Sequence, residues 1–475
     1  MGCMALVSQL IKMLSTKSNR RHMLHVICFL TLLIGFELSA GGIRIWETHF
    51  ERDSVEPIKE YGLLWSIVLY TLRILSFLPL PLCICHALGL IIYNVFPEKA
   101  PIRGSPLLAP FISIRVVTRG DYPELVRRNV LRNMNTCLDL GLDNFIVEIV
   151  TDKALNLPKN PRIREIVVPP NYTTKTNSLF KSRALQYALE DGVNLLNDDA
   201  WIVHLDEETL LTEGSVSGIL NFLFEGKHQI GQGLITYANE EIVNWVTTLA
   251  DSFRVGADMG MLRFCLRKFN KPLFLFKGSF VVCNAGFERD VTFDNGFAGS
   301  IAEDTYFAMS AMTKGYSFGW IDGEMWEKSP FSFWDFLQQR KRWMQGIFLV
   351  VHDNKLPLRS RICLSLALYS WLTLPLTTSN VYLSALYPIP VGQVFDFLTC
   401  FVGAVNLYLY IIGAVKSFSV TRYGYLKFML CVVGALCTIP FVIIIENLAV
   451  IWGLFGNKHN FYIVQKYKPV DSFQV

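Results

Sequence analysis

The sequence predicts an α/β fold: a mostly parallel sheet with flanking helices, in a chain that also carries α-helical transmembrane segments. Three observations predict it. Short β-branched runs alternate with helical patterns through the middle of the chain, the order of βαβ units. Apolar stretches of bilayer-crossing length lie on both sides of that middle. Acidic residues follow directly on two of the β-branched runs, where open α/β sheets bind ligands.

The 475 residues exceed one ordinary core. They divide into an N-terminal membrane region (1–96), a mixed-polarity domain (97–360), a C-terminal membrane region (361–456) and a polar tail (457–475). Hydrophobic residues make up 52% and charged residues only 18%, too apolar for a wholly soluble protein of this length. A net charge of +4, with no basic tract interleaved with aromatics, argues against nucleic acid as a partner. The 11 cysteines form no CxxC and the 8 histidines no HExxH. Any catalytic metal is therefore expected on carboxylates.

In chain order, His25 to Ala40 is an apolar run flanked by Lys17, Arg20 and Arg21. A cleaved signal peptide is the rival reading, and Glu37 ahead of Ser39-Ala40 argues against it. Leu63 to Val95 is broken by Arg73 and the pair Pro79 and Pro81, which fits one kinked, partly interfacial helix. Strands are expected at Phe111–Val117, Phe145–Val150, Ile163–Val168 and Trp201–Leu205, and helices at Glu124–Leu140, Leu179–Asp191 and Ser215–Leu223. Three apolar blocks follow: Ile362–Pro388, Phe397–Val415 and Phe428–Trp452. The last contains Glu446, which marks either a protein-facing pathway position or a helix end at the interface. Lys12, Lys17, Arg20 and Arg21 put the amino terminus in the cytosol, and Arg359, Arg361, Lys416, Arg422 and Lys427 put the middle domain there too. Lys458, Lys466 and Lys468 agree only if Phe428–Trp452 is a hairpin or lies at the interface.

Five polar motifs carry the chemistry. Asp206-Glu207-Glu208 follows a strand, and residues two apart on an extended end point the same way. Asp206 and Glu208 are thus placed to share Mn²⁺ or Mg²⁺, a hard cation suited to carboxylates plus substrate phosphate. Standing alone, such a triplet is more often a solvated loop. Asp152 ends another strand and is placed to accept hydrogen bonds from a base or ribose, a turn residue being the plainer reading. Lys181 lies near the start of a helical pattern, where cation and helix terminus both favour phosphate. Glu303-Asp304 precedes the helical pattern Thr305–Thr313. It either caps that helix or sets a carboxylate base where an acceptor hydroxyl enters. Asp335, Gln339, Arg342, Trp343 and Gly346 recur on one helical face. Arg342 suits phosphate oxygens, Trp343 a sugar ring, and Gly346 a close approach. Phe331, Phe333, Trp334 and Phe336 precede them and are expected to seat the domain at headgroup level.

As an ordered set these motifs resemble glycosyltransferase family 2. One departure is Asp-x-Glu at 206–208 where that family carries Asp-x-Asp. Arg115–Gly120, Val130–Leu138, His204–Thr209, Gly231–Tyr237 and Asn447–Leu454 are similar to the egghead-type β-1,4-mannosyltransferases of invertebrates. The resemblance implies a GT-A-like, Rossmann-like sheet and transfer of mannose from GDP-mannose to glucosylceramide at an ER or Golgi membrane. It implies a base at Asp304, a metal on Asp206 and Glu208, and donor contacts from Asp152, Lys181, Asp206, Gln339, Arg342 and Trp343. Glu303 and Trp343 would contact the acceptor. A processive polysaccharide synthase is the second reading. A membrane adhesion or scaffold protein with a decayed transferase domain is the third.

Overall fold

The computed structural model describes residues 16–43, 55–99, 101–456, 462 and 464–466. Lys12, Lys458, Lys468 and most of the expected polar tail lie outside the described residues.

Among the described residues, three α-helices precede the sheet: α1 (Lys17–Ser39), α2 (Pro57–Leu75) and α3 (Leu80–Ile92). Thr16 starts α1 by accepting the Asn19 N–H at 3.1 Å, which supplies one orphan donor of the first turn. The break between α2 and α3 falls at Pro79, as its fixed φ and missing donor require.

The middle domain runs β1 (Ile112–Thr118), α4 (Pro123–Asp139), β2 (Phe145–Thr151), β3 (Ile163–Val167), α5 (Phe180–Tyr187), β4 (Trp201–Asp206), α6 (Glu213–Glu225) and β5 (Ile230–Thr236). It continues with α7 (Trp245–Ala250), α8 (Ser252–Ala257), α9 (Arg263–Lys268), β6 (Val281–Asn284), α10 (Ala285–Val291), α11 (Glu303–Thr313) and β7 (Phe318–Trp326). These strands form one 7-stranded sheet in the order β3-β2-β1-β4-β6-β5-β7. β1 pairs in parallel with β2 and β4, and β5 with β7; β6 runs against its neighbours β4 and β5. All four expected strands are present within a residue or so of their expected ends.

The sheet centre holds an ionic row. Arg115 stands opposite Glu148 on β2 and His204 on β4. Its guanidinium is fully buried, 3.0 Å from Glu148 and 2.6 Å from Glu288 of α10. His204 Nε2 meets the other Glu288 oxygen at 2.6 Å. Every charge in the row thus has a partner, the condition under which buried ions persist.

Beyond the sheet lie α12 (Phe333–His352), α13 (Leu358–Leu372), α14 (Leu374–Leu386), α15 (Gln393–Ser417), α16 (Val420–Cys437) and α17 (Ile439–Phe455). By length and composition, 4 stretches among the described residues can cross a membrane: Lys17–Ser39, Pro57–Ile92, Gln393–Ser417 and Val420–Phe455. The pair α13 and α14, bent by 51°, is a fifth candidate. The aromatics ahead of the Gln-Arg-Trp segment divide. Phe331 and Phe336 are buried. Phe333 and Trp334 are exposed on α12 yet pack on Phe441 and Trp452 of α17, with ring centroids 4.8 and 5.3 Å apart.

Candidate active site

The carboxyl ends of β1, β2 and β4 open into one cavity of about 920 Å³. Asp152, Lys181, Asp206, Glu208, Glu303, Asp304, Gln339, Arg342 and Trp343 all line it. Residues scattered across the sequence are gathered there because β2 and β4 both flank β1 and end beside it.

Lys181 is the second residue of α5. Its ammonium sits 2.6 Å from Asp206 and 3.5 Å from Glu303, and donates to the Gly278 carbonyl at 3.3 Å. Phe180, just before it, has a φ of 53°, a strained setting for a bulky side chain. Asp152 takes a different partner: Arg183 reaches it at 2.6 Å while donating to the Tyr172 carbonyl at 3.1 Å.

Glu303 and Asp304 open α11, and the Asp304 carboxylate accepts the Thr305 N–H at 2.6 Å. The helix begins at Glu303 rather than Thr305, so both acids sit in its first turn. Gly346 explains how α12 comes so close. A Cβ there would lie 2.8 Å from Ala302, the residue before Glu303.

The acids are tuned apart. Burial and the adjacent Glu303 push Asp304 up to about 7, against the pull of Lys181. Burial also works to raise Asp206, but Lys181 and Lys466 hold it down at about 2. Burial pushes Glu208 up to about 7 despite Lys466, with Asp206, Glu327 and Glu207 adding repulsion. Acids held at such different values in one cleft are suited to different roles.

Lys466, from the tail, lines the site although the sequence pattern did not single it out. It lies 2.6 Å from Glu208 and 3.3 Å from Glu207. Nearby, Tyr462 O–H donates to Asp335 at 2.9 Å. Glu207 also accepts the Thr118 hydroxyl from the end of β1, and Asp206, Glu207 and Glu208 all line the same cavity. The chain leaves the strand at Asp206, and simple alternation stops there. Gln339 points its Oε1 into the protein without a hydrogen-bond partner, the mark of a group that awaits one. The Trp343 ring carries two cations, Arg254 at 4.6 Å and Arg340 at 4.7 Å from its centroid.

Asp206 and Glu208 offer only hard oxygen donors, and the cluster already draws an ammonium onto itself. That donor set fits Mg²⁺ or Mn²⁺. Among the described residues, the group of ligand atoms within 4.8 Å of one another is a different one, His204, Cys283 and Glu288. It lies buried in the ionic row, where Arg115 and His204 already occupy Glu288. A metal there would have to break the His204–Glu288 hydrogen bond and compete with the Arg115 guanidinium for Glu288, so the row reads as structural.

Fold and site together define a glycosyltransferase with helices able to cross a membrane. Residues 201–415 match the family "Glycosyl transferase family group 2". The chain is 59% identical over 449 residues to "Beta-1,4-mannosyltransferase egh" of Drosophila melanogaster, covering 94% of this chain and 98% of that protein. It is 54% identical over 448 residues to "Beta-1,4-mannosyltransferase bre-3" of Caenorhabditis elegans, with the same coverage. Among solved structures, "Crystal structure of S. aureus TarS 1-349" overlaps 76% of this chain and 97% of that one, at 12% identity and a TM-score of 0.32. The chain belongs to glycosyltransferase family 2, among the egghead-type β-1,4-mannosyltransferases.

Proposed function

We propose that the protein transfers a single mannose from GDP-mannose to the glucose of glucosylceramide in β-1,4 linkage, with inversion at the sugar carbon. The sugar and linkage follow the names of its relatives; the nucleotide and the lipid follow the family resemblance. The observation that carries the mechanism is the pairing, in one cavity, of a high-pKa acid at Asp304 with the cation-binding cluster at Asp206 and Glu208.

Asp304 acts as the base. The acceptor hydroxyl oxygen forms a bond to mannose C1, the bond from C1 to the diphosphate oxygen breaks, and the hydroxyl proton goes to Asp304. GDP departs with the electron pair. One base suffices because nucleophile and leaving group lie on opposite faces of the sugar. Lys181 and Arg342 stabilise the departing diphosphate, and Asp152 with its partner Arg183 borders the nucleotide. Lys466, now held by Glu207 and Glu208, is free to turn to phosphate once those acids are otherwise neutralised. A divalent ion held by Asp206 and Glu208 would supply charge neutralisation to the leaving group. Glu303 and Trp343 border the acceptor, and Gln339 offers its unpartnered oxygen to a substrate hydroxyl.

The catalytic domain faces the cytosol at an ER or Golgi membrane in this reading, because Arg359 and Arg361 flank the start of the C-terminal membrane region. The test is a donor screen with purified protein in glucosylceramide micelles. GDP-mannose should be the donor used, with one mannose added per acceptor. Transfer only from another nucleotide sugar would refute the donor, and growth of a polymer would favour a processive synthase instead.

A further inference from the structure

The cavity does not stop at the carboxylates. Beyond Trp343 it continues among helices of both membrane regions, where Leu82 of α3, Leu364 and Leu368 of α13 and Val442 of α17 form its walls. An ion pair borders this apolar lobe. Glu446 of α17 lies 3.2 Å from the Arg340 guanidinium and accepts the Trp371 indole N–H at 2.9 Å. Arg340 reaches back toward the reaction centre, 2.7 Å from Asp251 and over the Trp343 ring. The proposed mechanism uses neither Arg340 nor Glu446, yet a buried ion pair with one partner on a membrane-crossing candidate is costly to keep.

We infer that this lobe is the hydrocarbon subsite of the acceptor. We also infer that the Arg340–Glu446 pair reads the hydroxyl- and amide-bearing linkage between the acceptor's sugar and its chains. The inference rests on the proposed transfer to a lipid-linked sugar and gives that substrate a place. The lobe is continuous with Asp304, so a molecule can reach the base with its sugar while its chains stay among the membrane helices. Its walls come from membrane-crossing candidates, which lets a chain enter from the bilayer without crossing water. Its lining suits hydrocarbon with a few fixed polar contacts, the usual make-up of a small-molecule site. A sugar polymer would need hydrogen-bond partners along its whole path, and this wall is mostly apolar, with Leu82, Leu364, Leu368, Leu374 and Val442 beside Phe253 and Phe274. A carboxylate has about four acceptor positions. The two partners of Glu446 leave room for a hydroxyl or amide N–H. Arg340 and Arg342 sit on one turn of α12, so a single helix would meet both the linkage and the leaving group.

A purely structural tie between α12 and α17 is separable from this role. The full-length protein in lipid nanodiscs is assayed with glucosylceramide and with octyl glucoside, which has one short chain and no amide. Leu368→Trp, which fills the lobe, should raise KM for glucosylceramide about tenfold relative to KM for octyl glucoside. Glu446→Gln should lower the preference for glucosylceramide in the same direction. Equal effects on both acceptors would mean loss of structure only and would overturn the inference.

A second measurement needs no variant. Glucosylceramide carrying a photoreactive diazirine in its acyl chain is irradiated with the wild-type protein. Adducts should fall on the peptides of Leu80–Ile92 and Leu358–Leu372 and be competed by unlabelled glucosylceramide. Adducts confined to outward residues such as Leu64 and Leu426, which are 79% and 75% exposed, would overturn the inference. Competed adducts in the lobe without any mannose transfer would refute the proposed reaction and leave the subsite standing. Transfer without lobe adducts would do the reverse.

Discussion

Replacing Asp304 by Asn separates two roles that the sequence leaves open, helix cap and catalytic base. Ala302 is the N-cap and Asp304 lies inside the first turn, where Asn keeps the side-chain oxygen that accepts the Thr305 N–H, so that contact survives. As a base it fails, because an amide cannot take the acceptor proton. Transfer should fall by about 10²–10⁴-fold with donor affinity unchanged. Stability should move the other way. Asp304 is lifted from an ordinary 3.8 to about 7, chiefly by burial. An acid raised on folding is bound more tightly by protons in the folded state. Its penalty is absent below about 4, grows as pH rises, and is complete above 7. At about 1.4 kcal/mol per pH unit the ceiling at pH 8 is on the order of 4 kcal/mol, and the partial exposure of Asp304 cuts that to roughly 1–2. The Asn variant should therefore melt higher than wild type at pH 8 and match it at pH 4. Wild-type kcat/KM should fall about tenfold per unit as pH drops below 7, since the base must be unprotonated. The assay is radiolabelled mannose transfer across pH, paired with thermal unfolding of both proteins. Near-normal transfer by Asp304→Asn, or a lower melting point at pH 8, would refute the reasoning.

Three further outcomes follow from the same geometry. Asp206→Ala and Glu208→Ala should each abolish the Mn²⁺-dependent part of donor binding, measured by calorimetry; unchanged metal dependence in both would remove the metal from these acids. Asn171 is exposed and starts the sequon Asn171-Tyr172-Thr173, so its side chain is open to glycosylation if it ever meets the lumen. No glycosidase-sensitive mass shift should appear, and a shift abolished by Asn171→Gln would invert the topology. Arg115→Met should destabilise the domain by roughly 3–5 kcal/mol, because Glu148 and Glu288 are left buried without their shared partner. A variant as stable as wild type by denaturant unfolding would show that the row contributes no net stability.

Much of the parallel half of the sheet was legible because its strands are continuous β-branched runs, as at Phe145–Thr151. The other half was not. Gly231 and Gly233 dilute β5, and Gly319 and Gly323 dilute β7. Added to Gly233, a Cβ would strike the Phe280 ring, so the glycine that hides the strand is also what lets it pack. The candidate site residues that line the cavity were readable where local pattern and chemistry coincide, as at Asp206 at the end of β4 and Arg342 on α12. Glu207 was passed over because alternation suggested it faced away, whereas the turn brings it to Lys466. Lys466 itself had no local signal; only tertiary contact brings a tail lysine to acids that follow β4. Arg340 was hidden by its neighbours, since Gln339, Arg342 and Trp343 accounted for the motif without it. Glu446 carried a signal, the expense of a carboxylate in an apolar helix, but its partner could not be read from the chain alone.

The central claim is a single inverting mannosyl transfer onto a membrane lipid. Its most direct test is the structure of the product. Purified protein in nanodiscs is given GDP-mannose and glucosylceramide, and the extracted lipid is analysed by mass spectrometry and by NMR of the anomeric carbon. The account predicts one added hexose, β-configured and linked to the 4-position of glucose, with no longer species as the reaction proceeds. An α-linked mannose, or a ladder of products growing with time, would contradict it.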